Sequence, residues 1–158
     1  MPVFEWIESS ALAIWVGESL WGYPIMLGTH AIGLAIVVGI FVMLDLRMLR
    51  VIRGISFDAF LSLFRLAWIG LLFNTISGSA LFTSQATTFV ASTPFLIKIA
   101  GVICGVIFGI VIQGRLKKRV AAWDAADANI ESSATALAAL SLFCWIGAIF
   151  AGRLIAYL

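Results

Sequence analysis

The chain has 158 residues and a formal net charge of +2, with 63% hydrophobic and only 11% charged side chains. A soluble domain averages about 45–50% apolar and about 25% charged residues, so this chain could not hide its apolar surface in water. It reads as an integral membrane protein with room for one domain, and its few scattered basic residues exclude nucleic acid as a partner.

Residues 3–20 (VFEWIESSALAIWVGESL) are apolar but interrupted by Glu5, Glu8 and Glu18, with Trp6, Trp15 and Trp21 spaced through them. Glutamates with tryptophans suit one helix lying at the headgroup boundary, where amphipathic aromatic rings are favoured. The same segment has no Lys or Arg, so it lacks the basic start of a cleavable signal peptide and residue 1 is expected to stay. Pro24 then permits a fresh helix start. The first span, 24–44, is about 20 residues long, enough for a hydrocarbon core of about 30 Å. It holds the only histidine, His30, and leads out through Asp45, Arg47, Arg50 and Arg53.

The second span covers 60–82. Ala67, Gly70, Asn74, Ser77 and Gly78 recur every three or four residues and form one stripe of small and polar groups, which lets helices approach closely and hydrogen-bond. Arg65 stands at the same end as Asp45, and a helix-end ion pair is expected in a charge layer of Asp45, Arg47 and Arg65. The connection TSQATTFVAST (83–93) is polar, uncharged and read as a loop.

The third span covers 94–113. Gly101, Gly105 and Gly109, four residues apart, predict a groove for close helix packing, and Gln113 continues the stripe. Lys98 sits one turn inside, where its stem can snorkel to the interface. Arg115, Lys117, Lys118 and Arg119 follow, then a polar connector with Trp123, Asp124, Asp127 and Glu131. The fourth span, 134–156, is rich in alanine, with Ala148 and Gly152 four apart and Arg153 near its end. Cys104 and Cys144 both fall in apolar runs, which argues against a disulfide or a metal knuckle.

These spans predict an all-α membrane bundle of four helices, a single transmembrane domain over 1–158 with an N-terminal interfacial helix. The 1–2 and 3–4 connections carry the basic residues, and basic loops stay in the cytoplasm, so both termini are expected outside. His30, Lys98, Asn74, Ser77 and Arg153 then fall in the outer part of their helices.

Ionisable groups within a span point to function by default. One reading makes His30 an axial ligand of a b haem, or a metal ligand, with Lys98 and Arg153 near the haem propionates. Met26 shares the helix face of His30, so a haem would need a histidine from another subunit or a five-coordinate iron. The other reading has His30 hydrogen-bond to Asn74, Ser77 or a carbonyl and lock the bundle, or serve a proton-linked role. No HExxH, paired carboxylates or nucleophile–base pair is present, so an enzyme is not expected.

The pattern His30-Ala-Ile-Gly33-Leu34, followed by Gly39 and Leu44-Asp45-Leu46-Arg47, resembles a group of small bacterial inner-membrane proteins that share a domain of unknown function. Ser77-Gly78 with Leu81-Phe82, and Pro94-Phe95-Leu96-Ile97-Lys98, support the resemblance, which covers residues 18–115. It implies four helices and an inner-membrane home, which makes the outward termini expected from the loop charges periplasmic, and it supplies no activity. More remotely, the His-x-x-Gly start is similar to the membrane domain of copper-resistance proteins.

Three functions are consistent with these readings. The first is a non-catalytic subunit that packs with itself, as a homo-oligomer, or with a larger membrane complex in the lipid bilayer. The second is a haem b electron-transfer or quinone-anchoring protein that uses His30. The third is a small proton-linked transporter.

Overall fold

The computed structural model describes residues 2–125, 130–155 and 157, all-α with no strand among them. Seven helices follow one another: α1 (Pro2–Glu8), α2 (Ala11–Glu18), α3 (Gly22–Met48), α4 (Phe57–Thr83), α5 (Ala86–Ala91), α6 (Thr93–Trp123) and α7 (Ser132–Leu154). The four long ones, α3, α4, α6 and α7, are each long and apolar enough to cross a membrane. They make the protein a multi-pass helical membrane bundle. Asp127, in the expected polar connector, and residue 156, at the expected end of the fourth span, lie outside the described residues.

Three expectations need correction. The single interfacial helix over 3–20 is two helices, because Ser10 caps α2 by accepting a hydrogen bond from the Ala13 amide at 3.2 Å, while the Ser9 hydroxyl donates back to the Trp6 carbonyl at 2.8 Å. A serine that offers the backbone its own oxygen ends one helix and starts the next. The connection over 83–93 contains α5, and Glu8 accepts from the Thr87 amide at 2.8 Å and the Thr87 hydroxyl at 2.7 Å. The third span continues past Gln113 through the basic residues 115–119 to Trp123. Lys and Arg are good helix formers, and at about 1.5 Å per residue the 31-residue α6 outruns a hydrocarbon core of about 30 Å.

The tightest pairing is between α3 and α4, and small residues permit it. A Cβ on Gly33 would lie 2.7 Å from the Asn74 amide nitrogen and 2.8 Å from the Gly70 carbonyl oxygen. At the far end Phe41 anchors an aromatic core, with ring centroids 6.0 Å from Phe64, 5.9 Å from Trp68 and 5.7 Å from Trp145. The groove of α6 receives this core, because Gly101 faces Ala148, Gly105 faces the Trp145 ring and Gly109 faces the Phe41 ring. Large apolar side chains also point outward, among them Ile69, Leu72, Phe73, Ile107, Phe143 and Phe150. Helices that are apolar all round belong in a protein core or in lipid.

Candidate functional site

The N-terminal segment folds back across one end of the bundle. The Ser19 hydroxyl accepts from the Gly22 amide at 2.7 Å, and a Cβ on Gly22 would collide with the Trp15 carbonyl, so a glycine makes the sharp elbow between α2 and α3. Ala13 and Val16 of α2 are buried, and Phe4 of α1 meets the Phe82 ring edge-on at 6.4 Å. Together α1, α2 and α5 cover the end at which α3 and α6 begin and α4 and α7 finish.

A partly open cavity of about 610 Å³ lies at this end. His30, Lys98 and Arg153, which come from α3, α6 and α7, all line it, so the structure brings together in one cavity three of the five residues grouped by depth. One wall is aromatic: Phe82, Phe89 and Phe95 stack with centroids 5.2–6.3 Å apart. Tyr23 and Leu27 of α3 face the same space.

His30 is held by α4. Its Nδ1 lies 3.0 Å from the Asn74 carbonyl oxygen. A carbonyl can only accept, so Nδ1 carries the proton and donates. Asn74 Nδ2 donates to the His30 carbonyl at 3.0 Å and stands 3.4 Å from Nε2, while the Ser77 hydroxyl is 3.4 Å from Nδ1 and donates more closely to the Phe73 carbonyl at 2.6 Å. A Cβ on Gly78 would lie 2.9 Å from the ring, so a glycine makes room for it. This is a cross-helix lock. Both ring nitrogens therefore lie within hydrogen-bond distance of Asn74, Nδ1 as donor to its carbonyl and Nε2 as acceptor from its side-chain amide.

The two cations differ. Lys98 is half-buried and its stem lies along Gly152, where an added Cβ would be 3.3 Å from the Lys98 Cδ. Its ammonium has no hydrogen bond or ion pair among the described residues and sits within electrostatic reach of His30. Arg153 is exposed at the rim, where Nη2 donates to the Tyr157 hydroxyl at 3.3 Å and the guanidinium stands 5.6 Å from that ring. Just outside the bundle, the two hydrogen bonds from Thr87 hold the Glu8 carboxyl below the usual glutamate range.

The charge layer at the opposite end is arranged differently from expectation. Arg47 donates from Nε to the Ile55 carbonyl at 2.6 Å and lies 4.4 Å from the Phe57 ring centroid. Arg65 is exposed, whereas Asp45 is fully buried and neither carboxylate oxygen has a hydrogen-bond partner among the described residues. The expected Asp45–Arg65 ion pair is not formed, because Asp45 is buried inside the bundle while Arg65 is exposed on its surface. Gln113 accepts from Trp68 Nε1 at 3.2 Å, and Cys104 and Cys144 are neighbouring free thiols.

The sequence reading missed the aromatic wall and the Glu8–Thr87 contact. No periodicity links Phe82, Phe89 and Phe95, which sit on three elements. Fold and site together define a multi-pass helical membrane protein with an amphipathic cavity at one end. Comparisons with family models, curated proteins and solved structures gave no match for the chain.

Proposed function

We propose that the protein is a non-catalytic membrane protein that holds an amphipathic anionic ligand in this cavity. The carrying observation is the half-buried Lys98 ammonium, which has no hydrogen bond or ion pair among the described residues and lines the same cavity as a stack of three phenyl rings. A buried charge is retained at a cost unless something opposes it. A ligand with a carboxylate or phosphate on an apolar body satisfies the ammonium and the rings at once, with Arg153 at the rim as a second cation. In this reading the protein sits in a bacterial inner membrane with both termini in the periplasm, because the connection after α3 and the protruding end of α6 carry the basic residues. The cavity then faces outward.

A b haem is one such ligand. In that case His30 would be the one axial ligand from this chain, its Nε2 exchanging the contact with Asn74 Nδ2 for the iron, and Lys98 and Arg153 would meet the propionates. The test is gentle purification followed by mass spectrometry of bound small molecules and an oxidised and reduced absorption spectrum. The wild type is expected to retain an anionic amphiphile that Lys98→Gln and Arg153→Gln lose together. A Soret band abolished by His30→Ala identifies it as haem. A wild type that retains nothing, or variants that retain as much as the wild type, refute the proposal.

One observation favours the subunit reading as a second role. The glycine faces of α4 and α6 are filled within the chain, but Gly28, Ala31, Ala35 and Gly39 make an exposed small-residue strip along α3, and nothing lies within 4 Å of a Cβ at Gly28 or Gly39. Such a strip suits another membrane helix, from a second copy or a larger complex. A Gly39→Leu variant that keeps the native oligomeric size in detergent would count against it.

A further inference from the structure

We propose that Asp45 and Ser141 form a binding site for one monovalent cation, a proton or a sodium ion, between α3 and α7. The proposal is independent of the cavity, which lies at the other end of the bundle.

Asp45 and Ser141 are both 0% exposed. Both carboxylate oxygens of Asp45, the Ser141 hydroxyl and Trp145 Nε1 are buried with no hydrogen-bond partner among the described residues. Buried polar groups are almost always partnered, and a buried charge without a counter-charge is among the most destabilising features a fold can carry. These groups share one place. Phe41 and Asp45 are one turn apart on α3, Trp145 and Ser141 are one turn apart on α7, and the rings of Phe41 and Trp145 stack at 5.7 Å and 13°. The helices run antiparallel, so this stack puts Asp45 level with Ser141, and the serine hydroxyl neighbours the carboxyl without hydrogen-bonding geometry.

Among the described residues no cation pairs with the Asp45 carboxylate, and Arg50 and Arg53, just past the end of α3, are exposed. On α3 itself Arg47 is turned to Ile55 and Phe57. On α4 Arg65 and Asp58 are exposed. On α6 Arg115 donates to Ser133 at 2.9 Å, Arg119 pairs with Glu131 at the start of α7, and Lys117 and Lys118 are exposed. On α7 Cys144 faces Cys104. Asp45 also lies in the last turn of α3, where the negative end of the helix dipole disfavours a bare carboxylate and favours a cation. A serine hydroxyl serves either ion: it accepts from a protonated carboxyl, and its oxygen ligates sodium.

The test is infrared difference spectroscopy of the full chain in lipid nanodiscs, exchanging choline for sodium chloride at constant neutral pH. A single protonated-carboxyl stretch that shifts in deuterium oxide, moves in Ser141→Ala and vanishes in Asp45→Asn supports the site. If sodium leaves the band unchanged the ion is a proton, and if sodium abolishes it the ion is sodium. The proposal is overturned if no such band exists in choline and sodium changes nothing, since Asp45 is then ionised and partnered by the protein. It is also overturned if the band survives in Asp45→Asn. Should that variant fail to fold, a Ser141→Ala spectrum identical to the wild type overturns the site as well.

Discussion

Replacing Gly33 by alanine tests whether α3 and α4 are as close as the cavity lock requires. The added Cβ would stand 2.7 Å from the Asn74 nitrogen and 2.8 Å from the Gly70 oxygen, both backbone atoms that cannot swing aside. Comfortable contacts begin near ~3.5 Å, so the helices must part by roughly 0.7 Å. The two 3.0 Å hydrogen bonds between His30 and Asn74 stretch with them. Overpacking costs about 1–3 kcal/mol and each lost interhelical hydrogen bond about 0.6 kcal/mol, while alanine returns up to ~1 kcal/mol of helix propensity. The steric terms win, and the variant is expected to lose about 1–3 kcal/mol. Gly147→Ala on α7 is the matched control, because its Cβ meets nothing within 4 Å and only the propensity gain remains. Reversible unfolding in mixed micelles, followed by tryptophan fluorescence, measures both. A Gly33→Ala protein as stable as Gly147→Ala would refute the close approach and with it the positioning of His30.

Two further predictions concern the helix ends. Asp124 at the end of α6 accepts from the Phe57 amide at 2.7 Å and the Asp58 amide at 3.0 Å, so Asp124→Ala is expected to cost about 1 kcal/mol and to raise hydrogen exchange in the first turn of α4. Thr87 holds Glu8 below its ordinary range, so its contact is present above the usual glutamate range and is lost as pH falls through the lowered value. Hydrogen exchange in α1 and α5 should therefore rise at strongly acidic pH in the wild type and already be raised at neutral pH in Glu8→Gln. Exchange that rises in Glu8→Gln only at acidic pH refutes the latch.

How much could be read beforehand depended on how local the cause was. The four spans follow from hydropathy over about 20 residues, and their positions hold within a few residues at most ends. The glycines of α6 signalled a groove, although the spacing could not say that Trp145 and Phe41 would fill it. The break at Ser10 was legible, since a serine before an apolar run is a cap signal, but the regular tryptophans masked it. The length of α6 was legible too. Ile112, Leu116, Val120 and Trp123 continue the helical spacing and are buried or half-buried, while the charges between them suggested a loop. The non-local caps were out of reach. Ser56 stands where the local pattern puts the cap of α4 and makes no capping bond, because Asp124, 67 residues away from Phe57, takes that place.

Asp45 shows where this line falls. Val37, Val38, Phe41, Leu44, Asp45 and Met48 are all buried, and their spacing of three and four places Asp45 on the core face of α3. The inward direction of its carboxylate was therefore present in the sequence. Depth alone suggested Arg65 as a partner, since both stand near one end of the bundle. Depth, however, says nothing about rotation around a helix axis, and rotation is set by packing. The stack of Phe41 on Trp145 turns the Asp45 face toward α7, and the residue one turn from Trp145 is a serine. A carboxylate directed at a hydroxyl instead of a guanidinium needs its positive charge from outside the protein, and this is the step from a misjudged ion pair to a cation site.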